Sequence, residues 1–490
     1  MRKTGILLHI SSLPSDFGIG DFGPEAIRFA EYLKAEGYTY WQILPVNHCG
    51  YGNSPYNPLS AFALNPYFIS PELLYQQGYI NQLMLESVKI PRSNITRYEQ
   101  VYTLKDKMLA QATANWMLTN NLDEYIEESA SLLKPYLTFL SLSKIYNDTC
   151  WYNWNEEHRN YSEKLYQKVR SMDTSYFNLR AVTQAMLAEQ LSWFKAQLHK
   201  LGIVLIGDLP LYLAYDSAEV WAHQEYFDLD KQGRRLHFAG VPPDAFAEKG
   251  QLWGNPLYKW DVLKQEGFCL FIERIKQALN YLDILRLDHF IGYVNFWQVE
   301  PMIDANGQPV LPDNAIQGSW VRALPEDFFT TLLQHFTIER FIAEDLGILN
   351  DDVCSILERF GFPGMIVLQF CFEESVPDVK KYPPERWLYT GTHDNQTLRG
   401  WFESLSPDSP SYKHLQEYCV LHKFTDCQAM LNAENIHIII RNIALSSSCR
   451  QIIFPYQDIL GLGDEARMNI PSTLGGNWTW RVDKARLHYS

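Results

Sequence analysis

The sequence predicts an α/β protein built on a (β/α)8 TIM barrel with inserted, largely helical subdomains. Short apolar runs recur along most of the chain, and many are separated by helical patterns. Most runs end in a polar or glycine-rich turn, as parallel strands covered by helices do. The 490 residues exceed the roughly 250 that such a barrel needs, so the rest must form insertions. A doubly wound open sheet is the competing architecture.

Eight strands are predicted in chain order, the number that a closed barrel requires. They are "GILLHI" (5–10), "YWQIL" (40–44), "IVLIGD" (203–208), "DILRLD" (283–288), "RFIAED" (340–345), "MIVLQF" (365–370), "WLYTGT" (387–392) and "QIIFP" (451–455). The barrel would therefore occupy the whole chain, residues 1–490, as a single domain.

The segments between these runs predict crossover helices and two insertions. The stretch after the first strand places Pro24 in a first helical turn and Gly37 at a helix end. Residues 185–201 repeat this pattern before the third strand. Amphipathic segments replace the strand pattern at about 70–180, which predicts an inserted helical subdomain. The glycine- and proline-rich stretch at about 239–261 predicts a loop.

Composition and charge exclude several classes of partner. The formal net charge of −15 argues against nucleic acid or an anionic membrane, because both need a basic face. No apolar run approaches the roughly 20 residues of a membrane span, and the apolar stretch near the N-terminus is too short for a signal peptide. Eight cysteines without zinc spacing predict reduced thiols, so a cytoplasmic location is expected.

Carboxylates stand at the ends of several predicted strands. They are Asp208, Asp288, Glu344 with Asp345, and Asp394. The C-terminal ends of barrel strands converge on one mouth, so these groups are expected to meet there. Burial and like charges raise the pKa of some carboxyls, so that one acts as an acid while another stays an anion. Cleavage of a glycosidic bond needs this division of roles.

A role in pairing with Asp288 would explain why Arg286 lies within an apolar run. It lies two residues before Asp288 on the same strand face and is expected to hold that carboxylate ionised. His289 and His393 are read equally well as satisfied polar groups or as substrate contacts. A single strand-end aspartate is more often a helix cap than a catalyst, but four on separate strands favour a site. Metal binding by the same acids is an alternative, although no calcium-loop pattern is present.

Aromatic residues form 14% of the chain, and some lie in polar loops. The loops at 51–66 and 239–261 carry Tyr56, Phe246, Trp253 and Tyr258 beside Asp244, Gln251 and Asn255. Flat rings beside hydrogen-bonding groups suit the apolar faces and hydroxyl rims of sugars. A peptide-binding or structural cluster would have the same composition. The glycine-rich "GIGDFGPEAI" and "GLGDEARMN" are not complete nucleotide fingerprints.

Several motifs resemble those of a known family. "RLDHF" (286–290), "AEDLG" (343–347) and "GTHDN" (391–395) resemble the catalytic motifs of the α-amylase superfamily. More narrowly, "GVPPD", "SAEVWAH", "GQLWGNPLY" and "QDILGLGDEARMN" resemble the 4-alpha-glucanotransferases called amylomaltases or disproportionating enzymes. The similarity runs from "HISSLPSDFGIGDFG" to "GNWTWR" and so covers nearly the whole chain. It implies a (β/α)8 barrel without a C-terminal β-sandwich domain.

The resemblance also implies residue roles. Asp288 would be the nucleophile, Glu344 the general acid and base, and Asp394 the stabiliser of the transition state. The substrate-binding residues implied are Tyr56, Asp208, Asp244, Trp253, Asn255, Arg286, His393 and Asn469. The family often has a serine at the position of Ala247, so the resemblance leaves acceptor preference and product size open here, but not the chemistry.

The implied function is a 4-alpha-glucanotransferase with a retaining double displacement. The donor would be an α-1,4-glucan such as maltodextrin, glycogen or starch, and the acceptor glucose or a malto-oligosaccharide. The chemistry needs no cofactor and no metal. An α-1,4-glucan hydrolase and a non-catalytic glucan-binding protein are the alternatives, since the same carboxylates serve transfer and hydrolysis.

Overall fold

A computed structural model describes residues 2–50, 52–243, 248–305, 307–347, 349–422, 431–473 and 475–484. The described residues include all the predicted barrel strands and most of the segments inserted between them. Within these described ranges, no helix is long and apolar enough to cross a membrane.

Fourteen strands occur in the described part of the chain. They are β1 (Lys3–Leu7), β2 (Tyr40–Gln42), β3 (Val204–Leu209), β4 (Phe238–Val241), β5 (Gln251–Pro256), β6 (Ile284–Leu287), β7 (Asn295–Val299), β8 (Met302–Ile303), β9 (Pro309–Val310), β10 (Gly318–Arg322), β11 (Phe341–Ala343), β12 (Met365–Val367), β13 (Trp387–Tyr389) and β14 (Gln451–Pro455).

Eight of these strands form one parallel sheet in the order β11-β6-β3-β2-β1-β14-β13-β12. Read around the sheet, they follow their order in the sequence. The sheet closes on itself because Ala343 at the end of β11 pairs in parallel with Gly364 just before β12, and its amide donates to Pro363 O at 2.9 Å. The predicted (β/α)8 barrel is confirmed, and the doubly wound open sheet is excluded.

The α-helices of the described residues surround and extend this barrel. They are α1 (Pro24–Ala35), α2 (Pro71–Gln76), α3 (Gln82–Ser87), α4 (Tyr98–Trp116), α5 (Leu122–Glu128), α6 (Ala130–Tyr146), α7 (Glu163–Met172), α8 (Thr174–Leu201), α9 (Ala218–Ala222), α10 (Trp260–Gln265), α11 (Cys269–Tyr281), α12 (Ile291–Val294), α13 (Pro325–His335), α14 (Asp351–Phe360), α15 (Leu368–Glu374), α16 (Leu398–Ser404), α17 (Pro410–Leu421), α18 (Ile436–Ser446) and α19 (Tyr456–Ile459).

The crossover helices begin and end for local reasons. Helix α1 begins at Pro24, whose missing N–H costs nothing in the first turn, and Gly37 follows it with φ +80°. Helix α8 is longer than the predicted 185–201 segment, since the side chain of Asp173 caps it by accepting from Tyr176 N. The predicted sixth strand at 365–370 is too long, because residues from Leu368 onward form α15. Apolar periodicity does not separate a short buried strand from a helix.

Helices α2–α8 fill residues 71–201, between the second and third barrel strands. Helix α8 is fixed to the barrel by Lys195, whose Nζ donates to Leu279 O at 3.0 Å and Leu282 O at 2.9 Å. It also holds the loop that follows β2, because Gln184 accepts from Leu64 N and donates to Leu64 O. The boundaries of a helical subdomain at about 70–180 stay a prediction.

A four-stranded antiparallel sheet with the order β10-β7-β4-β5 stands beside the barrel. Sequence analysis missed it, and the prediction that 239–261 is a loop is wrong over β4 and β5. β4 pairs with β5, its neighbour in the sequence, and with β7, which lies far along the chain, so the local sequence does not reveal the whole sheet. A Cβ on Gly240 would lie 2.5 Å from Gln251 O, so this glycine permits close backbone approach rather than a turn.

Among the cysteines that the structure describes, one differs from expectation. Those with free thiols are Cys49, Cys150, Cys269, Cys354, Cys371 and Cys449. Cys419, in contrast, takes part in a disulfide. The prediction that every thiol is reduced is therefore wrong at Cys419, because spacing in the sequence does not report which sulfurs the fold brings together.

Gly5 offers a test of barrel packing. It pairs with Tyr40 of β2, and a Cβ added at Gly5 would collide with Tyr40 Cβ and lie 2.7 Å from Tyr40 O and 2.8 Å from Ile453 Cδ1. Because the backbone oxygen cannot move away, we expect Gly5→Ala to lower the free energy of unfolding by about 1–3 kcal/mol. Urea denaturation followed by tryptophan fluorescence measures it, with Thr4→Ser as control. A Gly5→Ala protein as stable as the wild type would contradict this packing.

Candidate active site

Three neighbouring barrel strands bring the predicted acids together. Asp208 belongs to β3, Asp288 follows β6, and Glu344 follows β11. Asp208 is the register partner of Arg286 in β6, and Arg286 is the partner of Ile342 in β11. Because these strands are parallel and adjacent, all of these side chains lie at the same C-terminal mouth.

Arg286 connects the three carboxylates. Its Nη1 donates to both oxygens of Asp208, at 2.9 and 2.7 Å, and to Asp288 Oδ1 at 2.9 Å. Its Nη2 lies 3.8 Å from Glu344 Oε2. Only 6% of the Arg286 side chain and none of that of Asp208 is exposed. A buried charge needs partners of this kind, since leaving water is otherwise too costly. Arg286 therefore fixes the carboxylates around one point.

Tyr56 closes the site on the side of the loop after β2. Its hydroxyl donates to Asp208 Oδ2 at 2.6 Å. Its ring stacks on that of His393, with centroids 4.9 Å apart and planes 11° apart. Burial, followed by the negative charge of Asp208, raises the pKa of Tyr56, so the phenol keeps its proton. Glu219 holds the same loop by accepting from Ser60 Oγ at 2.6 Å.

Asp394 stands opposite, after β13. Asn469 Nδ2 donates to its Oδ1 at 2.7 Å, and His393 Nε2 lies 3.4 Å from the same oxygen. Because 46% of its side chain is exposed, the carboxylate remains open to a ligand. Arg467 donates from Nη2 to Asp394 O at 2.6 Å. Sequence analysis missed Arg467, although it lies in the "GLGDEARMN" stretch.

Electrostatics separates the roles of the two central acids. Burial is the largest cause that raises the pKa of Glu344 to about 8, and the charge of Asp288 adds to it. Burial also raises the pKa of Asp288 to about 7, against the lowering effect of Arg286. Because Arg286 donates directly to Asp288 at 2.9 Å and lies 3.8 Å from Glu344, its charge favours the ionised form of Asp288 more strongly, and Glu344 is the acid that keeps its proton to higher pH. At neutral pH, the site can offer one carboxylic acid and one carboxylate.

The backbone of His289 aims a donor at Glu344. Its amide N donates to Glu344 Oε2 at 2.7 Å, and its φ of +49° is uncommon for a residue other than glycine. Such backbone conformations concentrate at functional sites. Burial lowers the pKa of the His289 ring to about 4, so the imidazole is neutral. The sequence pointed to the side chain of His289 but not to this backbone contact, because patterns of side chains do not reveal which backbone amides donate.

The remaining predicted residues come from the antiparallel sheet. Trp253 meets the ring of His289 edge-on, with centroids 4.8 Å apart, and is 38% exposed, as a platform at the rim would be. Asn255 Nδ2 donates to Leu213 O at 2.8 Å and so supports the segment after β3. Asp244 and Ala247 lie outside the described residues.

The acids do not form an arrangement that favours a metal. Within the described ranges, no group of three or more His, Cys, Asp or Glu side chains could hold a metal ion. Arg286 occupies the position between Asp208, Asp288 and Glu344 that a cation would need.

Comparison with known proteins gives one family. The model of a glycoside hydrolase family, number 77, described as 4-alpha-glucanotransferase, matches residues 8–486. The chain is 37% identical to the 4-alpha-glucanotransferase of Thermus thermophilus, covering 98% of this chain and 95% of the relative. It is 36% identical to that of Aquifex aeolicus, covering 98% and 96%.

Among solved structures, the amylomaltase from Streptococcus agalactiae in complex with acarbose superposes with a TM-score of 0.90. The identity is 30%, and the superposition covers 99% of this chain and 96% of that one. The likeness therefore includes the barrel together with the segments inserted into it.

The pair of Arg286 and Asp208 can be tested by a double-mutant cycle. Arg286→Gln leaves the buried Asp208 carboxylate without its cation, which we expect to lower the free energy of unfolding by about 3–5 kcal/mol. In an Asp208→Asn background, Arg286→Gln should lower the free energy of unfolding by less, because the buried charge of Asp208 is absent. Urea denaturation measures all four proteins.

Arg399→Gln is the matched control for this cycle. Arg399 pairs with Glu403 at 2.9 Å on the surface, where an ion pair contributes little, so little change is expected. Equal losses for Arg286→Gln in the presence and absence of Asp208 would show that the two side chains are not coupled.

Proposed function

Because the chain belongs to the 4-alpha-glucanotransferase family, we propose that it transfers a segment of an α-1,4-glucan to the 4-hydroxyl of another glucan or of glucose. The single observation that carries the chemistry is the contact of Arg286 with three carboxylates at one barrel mouth. Two carboxyl groups with separated pKa values are what the cleavage of a glycosidic bond requires.

In the first step, Glu344 donates its proton to the glycosidic oxygen while Asp288 attacks the anomeric carbon. The leaving glucan departs with a free 4-hydroxyl, and a covalent glucosyl ester forms on Asp288. Arg286 supports the attacking carboxylate, because its hydrogen bond to Oδ1 keeps Asp288 ionised and oriented. This mechanism requires the two carboxyls to stand about 5–5.5 Å apart.

In the second step, Glu344 has become a carboxylate and takes the proton of the acceptor's 4-hydroxyl. The acceptor oxygen attacks the anomeric carbon and releases Asp288, so the configuration is retained overall. The bond formed is of the same kind as the bond broken. Acceptor binding and the exclusion of water decide between transfer and hydrolysis.

We assign the other residues to substrate binding. Asp394, open to the cavity and fixed by Asn469, would grip hydroxyls of the sugar at the point of reaction. Tyr56 and His393 form one wall, and Asp208 holds both Tyr56 and Arg286 in place. Trp253 would be a platform for the sugar on the rim, while Asn255 supports the adjacent segment. Asp244 and Ala247 are proposed for the loop that covers the acceptor.

The partners and location follow from the same chemistry. We propose an α-1,4-glucan donor and glucose or a malto-oligosaccharide as acceptor, with no cofactor, no nucleic acid and no membrane. The net charge of −15 supports a neutral partner over an anionic one. A cytoplasmic location is proposed on the same sequence grounds as before, and the disulfide at Cys419 is the observation that stands against it.

The decisive experiment is a digest of maltotriose resolved on a thin-layer plate. A transferase produces glucose together with a ladder of longer malto-oligosaccharides, because the released segments join other chains. A hydrolase yields shorter sugars alone, and a binding protein yields no product. The absence of any product longer than maltotriose would overturn the proposed transfer.

The roles of the two acids can be tested by substitution. Asp288→Asn and Glu344→Gln are each expected to lower kcat by at least about 10³-fold, since a nucleophile and a general acid are lost. Circular dichroism and binding of maltotriose should remain, which separates lost chemistry from lost folding. Near-wild-type turnover in either variant would remove that residue from its role.

The electrostatic coupling of the two acids gives a prediction about pH. The rate should rise as Asp288 ionises near its pKa of about 7 and fall as Glu344 loses its proton near about 8, with the two limbs belonging to the pair. In Asp288→Asn, the pKa of Glu344 should fall because a negative neighbour is removed. Carboxyl-labelled NMR titration measures it, and an unchanged or higher pKa would refute the coupling.

A further inference from the structure

A cavity that none of the described active-site residues lines lies at the start of α4. Its volume is about 180 Å³, and its polar lining comes from Arg92, Arg97, Arg481, Ser93 and Gln100. One water occupies roughly 30 Å³, so the cavity has room for an ion the size of phosphate. Three arginines in one cavity are notable in a chain with a net charge of −15. We call it the arginine cavity.

Arg481 is the buried member of this group. It is 2% exposed, and its Nη2 donates to Ser15 O at 2.9 Å. Its Nη1 is buried and has no hydrogen-bond partner. Burial lowers the pKa of Arg481 to about 10, which leaves the guanidinium charged at neutral pH. A buried charged donor without a partner is costly and calls for an acceptor.

Nearby carboxylates do not supply that acceptor. Asp16 pairs with Arg92, at 2.7 Å from Nε, and Asp21 accepts from Gly23 N at 2.9 Å. Both carboxylates act on Arg481 through space and raise its pKa. Within the part of the chain that the structure describes, however, Arg481 forms no ion pair. Its positive charge is compensated only at a distance.

The helix that begins at the cavity adds donors. Arg97 is the N-cap of α4, a helix of 19 residues, and provides no side-chain cap. The first amides of a helix have no partner within it, and its dipole favours an anion there. Ser93 Oγ accepts from Ile95 N at 3.2 Å, so its own hydrogen is available to donate. Glu99, the acidic residue of the first turn, does not line the cavity.

We propose that the arginine cavity binds a phosphate group, either the free ion or a phosphate monoester, between Arg481 at the base and Arg92 and Arg97 at the rim. The planar fork of a guanidinium matches the oxygens of phosphate and binds them with paired hydrogen bonds. A doubly charged oxyanion fits a cluster of three guanidiniums better than a single carboxylate does. This proposal is independent of the proposed glucan transfer.

Bound phosphate would stabilise the end of the chain. The amide of Arg481 donates to Asn94 O at 2.7 Å, and the hydroxyl of Tyr98 donates to Trp478 O at 2.7 Å. The ring of Trp478 in turn lies 5.9 Å from those of Tyr56 and His393. An anion that bridges Arg97 and Arg481 would therefore hold the segment that carries Trp478 against the start of α4.

The test uses the full chain in a phosphate-free buffer of constant ionic strength. Isothermal titration with inorganic phosphate should show one saturable site per chain. At about ten times Kd, the melting temperature should rise by about 2 °C, whereas sodium chloride at equal ionic strength should not raise it. Glucose 6-phosphate is titrated in parallel, with glucose as its control. Whichever of the two phosphates binds more tightly identifies the free ion or the monoester as the better ligand.

Variants locate the binding. Arg97→Gln changes an exposed side chain and is expected to weaken phosphate binding about tenfold without loss of transferase activity. Arg481→Gln should abolish saturable binding. Arg450→Gln, which removes an exposed arginine just before β14, is the matched control and should bind phosphate as the wild type does.

Three results would overturn the proposal. They are the absence of saturable heat up to about 20 mM phosphate, an equal rise in melting temperature with sodium chloride, and wild-type affinity in Arg97→Gln. Because Arg97→Gln should fold normally, a failure of Arg481→Gln to fold does not prevent the test.

Discussion

The hydrogen bonds of Arg286 are the constraint on which the site depends. A guanidinium buried at the barrel mouth has to be surrounded by acceptors, and Asp208, Asp288 and Glu344 are the acids that surround it. Their positions follow from the parallel register of β3, β6 and β11. The closed sheet therefore determines the geometry of the site, and the ion pairs make that geometry stable in a low-dielectric environment.

The same arrangement explains how two similar side chains acquire different roles. Burial raises the pKa of both central acids, but Arg286 bonds directly to Asp288 and only approaches Glu344. The amide of His289 reaches Glu344 through an uncommon backbone conformation. The backbone of His289 is thus locally strained at the point where it orients the carboxyl group of Glu344, and such strain is typical of functional sites. Opposite them, the side chain of Asp394 is about half exposed, so that a ligand can reach its carboxylate.

Much of this was predictable because the barrel signal is local. Each parallel strand is a short apolar run, and the residues at its end, such as Asp208 and Asp288, are adjacent to it in sequence. The antiparallel sheet was not predictable as a whole, since β4 pairs both with the neighbouring β5 and with β7, a strand more than fifty positions later. The glycine and proline content of residues 239–261 is also typical of a loop. Arg467 and the amide of His289 were missed because their contacts are made with or by the backbone. The disulfide at Cys419 was missed because the spacing of cysteines in the sequence does not show which sulfur atoms lie close together in the fold.

The position of β1 has a consequence for biosynthesis. The first strand of the barrel to be synthesised, β1, lies between β2 and β14, and Ser12 Oγ donates to Trp480 O at 2.9 Å. One edge of β1 therefore stays unpaired until β14, the last barrel strand in the sequence, has been made. An unpaired edge of this kind attracts other strands. A chain that ends before β14 leaves this edge open, so its barrel cannot close.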